Sequence, residues 1–152
     1  MEKKDYRIPE IPHTEVNEFI ATYGGDISND AYLFVRRSLK GIDPSSFKKL
    51  SGIMDVSVDE LSVIIGVSER TFRNYSRANK MLAPITSEHI LKIANLYQRG
   101  IEVFGSKLIF NNWLRKPAFA FEDDLPFELL KTPGGVDLVF DELQSIAFGD
   151  LA

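Results

Sequence analysis

The sequence contains no cysteine, which excludes a disulfide framework, a thiolate zinc site and a cysteine nucleophile. Imidazole is nearly as scarce, since His13 and His89 are the two histidines and they sit in unrelated segments. Long apolar runs are also missing. No stretch approaches membrane-spanning length, and the opening MEKKDYRIPEIPH lacks the apolar segment of a secretory signal, so a cytoplasmic protein with no membrane partner is expected. Positive charge is in deficit, with 18 Lys and Arg against 22 Asp and Glu and a net charge of −4. That deficit is uneven: residues 43–100 hold eight Lys/Arg against six Asp/Glu, whereas residues 101–152 hold four against nine. Phosphate contacts depend on where positive charge sits, so a locally basic helix can still bind nucleic acid, while the acidic terminal third points to a different, cationic partner.

What is present is ordinary globular material. With 152 residues, 44% of them apolar and 26% charged, the chain can build a real core as one domain or two small ones. There is no internal repeat and no strand-like alternation, so the fold reads as all-α. The clearest local signal is VDELSVIIGVSERTFRNYSR, residues 58–77. Leu61, Ile64 and Ile65 share one face of a first helix, Gly66 allows a sharp turn, Val67 is the apolar turn residue, and Ser68 can cap a second helix whose inner stripe is Phe72 and Tyr75. Ser68, Glu69, Arg70, Arg73, Asn74 and Arg77 remain outward. A helix-turn-helix lays its second helix in the DNA major groove, where Arg pairs with guanine and Asn with adenine, so this face has suitable chemistry. A helical hairpin with a merely solvated basic face is the plainer alternative.

Around the hairpin, residues 1–13 form an extended lead-in with two Ile-Pro steps. A helix from Glu15 carries Val16, Phe19, Ile20 and Tyr23 and stops at Gly24-Gly25; another, over residues 28–40, is expected to turn Tyr32, Val35 and Leu39 inward. Residues 1–41 thus make a helical N-terminal extension that either packs on the DNA-binding unit or pairs two protomers. Asp43-Pro44 starts the next helix, with Phe47, Leu50, Ile53 and Met54 inward. After the hairpin, Thr86 or Ser87 should cap a long helix reaching about Phe104, with Ile90, Ile93, Ala94, Tyr97 and Ile101 as its stripe. These elements give a helix-turn-helix domain over residues 42–100. Residues 101–152 follow as a smaller helical domain, with a helix from Ser106 holding Leu108, Ile109 and Trp113, a turn or two from Pro126, a Pro133-Gly134-Gly135 turn, and a last helix burying Val136, Val139, Phe140, Leu143, Ile146 and Ala147.

No catalytic constellation emerges. Glu122, Asp123 and Asp124 are contiguous, without the spacing and glycine of a calcium loop, and read as a solvated charge run. Pro133-Gly134-Gly135 lacks the lysine and longer glycine pattern of a phosphate cradle. His89 on an apolar helix and Trp113 among apolar neighbours read as packing residues. The expectation is a non-enzyme that needs no metal or cofactor.

Several stretches taken together carry a resemblance. IGVSERTFRNY, Leu82 with ITSEHILKIANLY, VFGSKLIFNNWLRKP, LPFELLKTPGG and VFDELQSIAFG occur in an order and spacing similar to the Xre/MbcA/ParS type II antitoxins, the partners of RES-domain toxins. The likeness runs from about Ile42 onward; Asn111-Asn112 and the acidic AFEDDLP depart from the small apolar residues and glycine-containing loop usual there. The resemblance implies an antitoxin that obstructs the active site of an NAD+-degrading toxin and represses its own operon by binding operator DNA. A homodimer within a larger complex is expected separately, because one small reading helix recognises too few base pairs and such proteins read paired half-sites. The resemblance also implies that residues 101–152 hold the toxin, with Pro133, Gly134, Gly135, the last helix and the tail residues Phe148, Gly149 and Asp150 nearest the toxin's active site. A site that binds a dinucleotide presents positive charge to the pyrophosphate. Glu122, Asp123, Asp124, Asp137, Asp141, Glu142 and Asp150 are therefore expected to contribute to toxin binding. A stand-alone helix-turn-helix regulator with a sensing C-terminal half is the competing reading.

Overall fold

Side-chain caps start several of the helices in the computed structural model, which describes residues 14–24 and 30–149. The expected lead-in over residues 1–13, with His13, and the expected helix start at Ser28 lie outside the described residues. α1 (Thr14–Phe19) runs on into a π-helical turn (Ile20–Gly24), and together they bury Val16, Phe19, Ile20 and Tyr23 as their spacing predicts. α2 (Ala31–Lys40) begins where the Asp30 carboxylate accepts the Tyr32 and Leu33 N–H groups, and ends at Gly41. α3 (Ser46–Met54) follows a turn in which Asp43 Oδ1 accepts the Ser45 N–H at 2.8 Å. α4 (Val58–Ile65) and α5 (Glu69–Arg77) make the hairpin, and α6 (Pro84–Phe104) is the long helix. α7 (Lys107–Leu114), a 3-10 turn (Phe119–Phe121), α8 (Pro126–Leu129) and α9 (Pro133–Gly149) complete the order, and no strand occurs among the described residues.

α6 is the element on which the others pack: α1, α2, α3, α4, α7 and α9 all touch it. Ile90, Leu91, Ile93, Ala94, Leu96 and Tyr97 are fully buried, so for two turns this helix is apolar on almost every side, as a central core helix must be. Gly100 has its own reason: a Cβ there would meet the Phe110 ring at 2.4 Å, so the glycine lets α7 close on α6. Beside it the buried Tyr97 hydroxyl donates to Asn111 Oδ1 at 2.6 Å, and burial pushes the phenol pKa up. One contiguous cluster of buried side chains reaches from Val16 through Phe72 to Leu143. The regions before and after Gly100 therefore share an interior.

The structure corrects four details of the sequence reading. Tyr32, Val35 and Leu39 do not face inward; they are 67%, 51% and 64% exposed. α2 instead turns Phe34 and Ser38 inward, because a small residue allows close approach to α6, and Arg37 donates to the Tyr23 carbonyl. α6 starts at Pro84 rather than at a Thr86 or Ser87 cap; Ser87 is buried and ties two segments together, accepting the Ile42 N–H and donating to the Leu82 carbonyl. In α7 the buried residues are Phe110, Asn111 and Leu114, while Leu108 and Ile109 are exposed and Trp113 packs half-buried on Phe104 and Phe110. Pro133-Gly134-Gly135 is not a turn but the first turn of α9, capped by Thr132, whose Oγ1 accepts the Gly135 N–H at 2.9 Å.

Candidate functional site

The first candidate surface is built by α4 and α5. Ser57 caps α4 by accepting the Glu60 N–H, and Gly66, at φ 75°, closes it in the left-handed conformation that glycine adopts without strain. Ser68 then caps α5 by accepting the Thr71 N–H at 3.1 Å. The orientation of α5 is fixed from below by Phe72, which stacks on Phe47 with ring centroids 3.6 Å apart, and by the half-buried Tyr75. Locking these two rings inward leaves Ser68, Glu69, Arg70, Arg73, Asn74 and Arg77 all exposed. Arg70, Arg73, Asn74 and Arg77 recur at the spacing of one helical stripe. Among the described residues none of the three arginines is held in an ion pair. A nine-residue helix with a row of unengaged guanidinium groups and one amide has the donors that read base edges and phosphates in a major groove. Arg73 also edges a shallow cleft with Phe47, Lys48, Glu69 and Ser76, so Lys48 and Ser76 join this surface, which sequence spacing alone did not suggest.

The second candidate surface lies on the C-terminal helices. The end of α8 is anchored by His89, which is buried on α6 and donates from Nε2 to the Leu130 carbonyl at 2.7 Å. Burial holds the His89 pKa below its ordinary value, against the raising effect of that carbonyl, so the neutral ring is the donor. His89 is a packing residue, in keeping with its place on an apolar stripe. Of the residues expected to hold a partner, Gly135 is buried, Pro133 half-buried and Gly134 exposed. Asp137 is exposed and paired with Lys92 at 2.7 Å, at the edge of a groove of about 340 Å³ between α2, α6 and α9. Burial alone would lower the Lys92 pKa, but its bond to Asp137 and the charges of Asp137 and Glu88 outweigh that and raise it.

Asp141 is exposed and Glu142 half-buried; Phe148, 66% exposed, and Gly149 end α9, and Arg99 lies over the Phe148 ring. Asp150 lies outside the described residues. Gly134, Leu138, Asp141, Ser145 and Phe148 share one exposed stripe of α9. Leu138 was not among the expected contacts, although its position off the inner stripe of Val136, Val139 and Leu143 already points it outward. Glu122, Asp123 and Asp124 are exposed on the loop after the 3-10 turn, away from α9 in sequence and in no ion pair among the described residues. No cluster of His, Asp and Glu suited to a metal occurs among the described residues.

Comparison with known families separates the same two surfaces. Residues 34–95 match the antitoxin Xre-like helix-turn-helix domain, and residues 99–149 match the antitoxin Xre/MbcA/ParS C-terminal toxin-binding domain. No curated protein matches the chain in sequence. The first match begins inside α2 and the two meet inside α6, the helix that both surfaces share.

Proposed function

From the premise that this chain belongs to the Xre/MbcA/ParS antitoxin family, with a helix-turn-helix region and a toxin-binding region in tandem, we propose that it neutralises a RES-domain toxin that consumes NAD+ and represses its own operon. The observation that carries this reading is the order of the two matches on one chain. A stand-alone regulator would need no toxin-binding domain. The chain itself is not an enzyme in this reading; it works in the cytoplasm by covering the toxin's active site. The nine Asp and Glu of residues 101–152 suit a partner whose site must attract a pyrophosphate. The test is co-expression and co-purification with a RES-domain toxin, followed by an NAD+ consumption assay. An equimolar amount of this chain should stop NAD+ loss. Continued consumption by a complex that has formed would remove active-site obstruction, and absence of any complex would remove the RES partner.

Operator binding in this proposal requires two copies, since one nine-residue reading helix spans too few base pairs and helix-turn-helix proteins read paired half-sites. The exposed stripe Tyr32, Val35 and Leu39 on α2 is the apolar face available for that pairing. Leu39→Glu should convert a dimer to a monomer in sedimentation and weaken operator binding by at least about tenfold, because the second half-site then has to bind independently. An unchanged sedimentation coefficient would place the dimer contact elsewhere.

A further inference from the structure

We propose that Phe119 is the aromatic anchor by which this chain grips the toxin, entering an apolar socket on the toxin whose rim carries Lys and Arg. The proposal rests on the toxin-binding reading above. Phe119 is 96% exposed, more than any other large apolar side chain among the described residues. Single exposed leucines are common on protein surfaces, but an entire phenyl ring in water on a rigid support is not. The support is a closed loop. The Ala118 N–H donates to the Asp124 carbonyl at 3.1 Å and the Asp123 N–H returns to the Ala118 carbonyl at 3.0 Å. Within it, Phe121, Glu122 and Asp124 donate to the carbonyls of Ala118, Phe119 and Phe121.

Two residues away from Phe119, Phe121 packs against the core, so the loop turns one ring inward and the other outward. Glu122 and Asp123 stand at φ 52° and 68°, left-handed backbone that side chains other than glycine resist. A loop held this firmly has little conformational freedom left to lose on association, which is how pre-organised anchors gain affinity. Exposed aromatic rings that become fully desolvated are the usual centres of binding energy in an interface.

The surroundings of the ring choose the partner. Glu122, Asp123 and Asp124 follow Phe119 around the closed loop, all exposed and in no ion pair among the described residues. Operator DNA would be repelled by three carboxylates. A second copy meeting this loop about a two-fold axis would bring the same carboxylates against themselves. A cationic protein surface is attracted, and the loop lies inside residues 99–149, the region matched as toxin-binding.

The experiment uses the full chain and the RES-domain toxin of the co-purification test above, with binding followed by surface interferometry. Phe119→Ala should raise the dissociation constant by at least about 30-fold, chiefly through faster dissociation. Its thermal midpoint and operator affinity should stay unchanged, and Phe119→Trp should retain binding within about threefold. The triple variant Glu122→Gln, Asp123→Asn, Asp124→Asn should slow association at low salt and flatten its salt dependence. Wild-type binding with Phe119→Ala within about threefold of it overturns the anchor and leaves the toxin-binding reading standing. No complex even for the wild type overturns that reading itself. A lowered thermal midpoint for Phe119→Ala, or a change in self-association in place of toxin affinity, also overturns the anchor.

Discussion

Gly135→Ala is expected to lower the thermal midpoint sharply, whereas Gly134→Ala, one position earlier, should leave it unchanged or raise it slightly. A Cβ at Gly135 would stand 1.8 Å from the Leu129 carbonyl oxygen and 2.7 Å from its carbon, whereas at Gly134 nothing lies within 4 Å. The obstacle is backbone at the end of α8, so no side-chain rotation can relieve it. The first turn of α9 would have to move away, breaking the 2.9 Å bond from the Gly135 N–H to Thr132 Oγ1 and drawing Val136 out of the core. Overpacking of this kind costs about 3 kcal/mol at its upper end. For a chain of this length that is a drop of roughly 6–12 °C. At Gly134 the alanine gains about 0.5–1 kcal/mol of helix propensity. Thermal unfolding of the two variants checks this, and equal midpoints would mean that α8 and α9 can separate freely. The pair also divides the glycines by role. In the proposed reading, Gly135 would affect toxin neutralisation only through the position of α9, and Gly134, exposed on the stripe with Leu138 and Phe148, would be the one to touch the toxin directly.

The helices themselves were legible because their boundary signals are local. Ser68 and Ser106, expected to start α5 and α7, both cap by accepting a backbone N–H three residues on, and Gly66 ends α4 in left-handed geometry; Asp30 and Ser57 cap α2 and α4 in the same way but are not among the expected starts. The outward face of α5 was legible for the same reason, since fixing Phe72 and Tyr75 inward leaves no other orientation. α2 was misread because periodicity gives a stripe without saying which way it faces. Tyr32, Val35 and Leu39 are the more apolar row, yet close packing on α6 selected the row with Ser38. The start of α9 was misread as a turn because Pro-Gly-Gly is turn-like in composition, although Thr132 followed by Pro133 is also the signature of a cap and a first helical residue. Phe119 could not be found from spacing at all. Its exposure comes from hydrogen bonds within a seven-residue loop, and nothing in the order of FAFEDD distinguishes the outward ring from the inward one.

Arg73→Ala combined with Asn74→Ala should abolish specific operator binding while leaving toxin inhibition intact. Both side chains are exposed in the middle of the α5 stripe, where a helix lying in a major groove comes closest to base edges. A bidentate contact contributes about 1–3 kcal/mol of discrimination, so losing two should weaken specific binding by at least about 30-fold. Stability should hardly change, because α5 is held by Phe72 and Tyr75 and surface substitutions stay within about 0.5 kcal/mol. Arg70→Ala and Arg77→Ala sit toward the ends of the stripe. If they contact phosphate, each should weaken binding on all sequences alike and reduce the salt slope by about one. Point variants are the right tool because the interior is continuous. Removing the chain beyond Gly100 would strip Ile101, Phe110, Leu114, Val139 and Leu143 from α6 and expose its buried side, confounding loss of contact with loss of fold. Gel-shift titration on the operator and NAD+ consumption by the toxin, measured on the same double variant, separate the two surfaces. A folded variant that lost both activities would show that the α5 face also takes part in holding the toxin, and the two surfaces would then work as one.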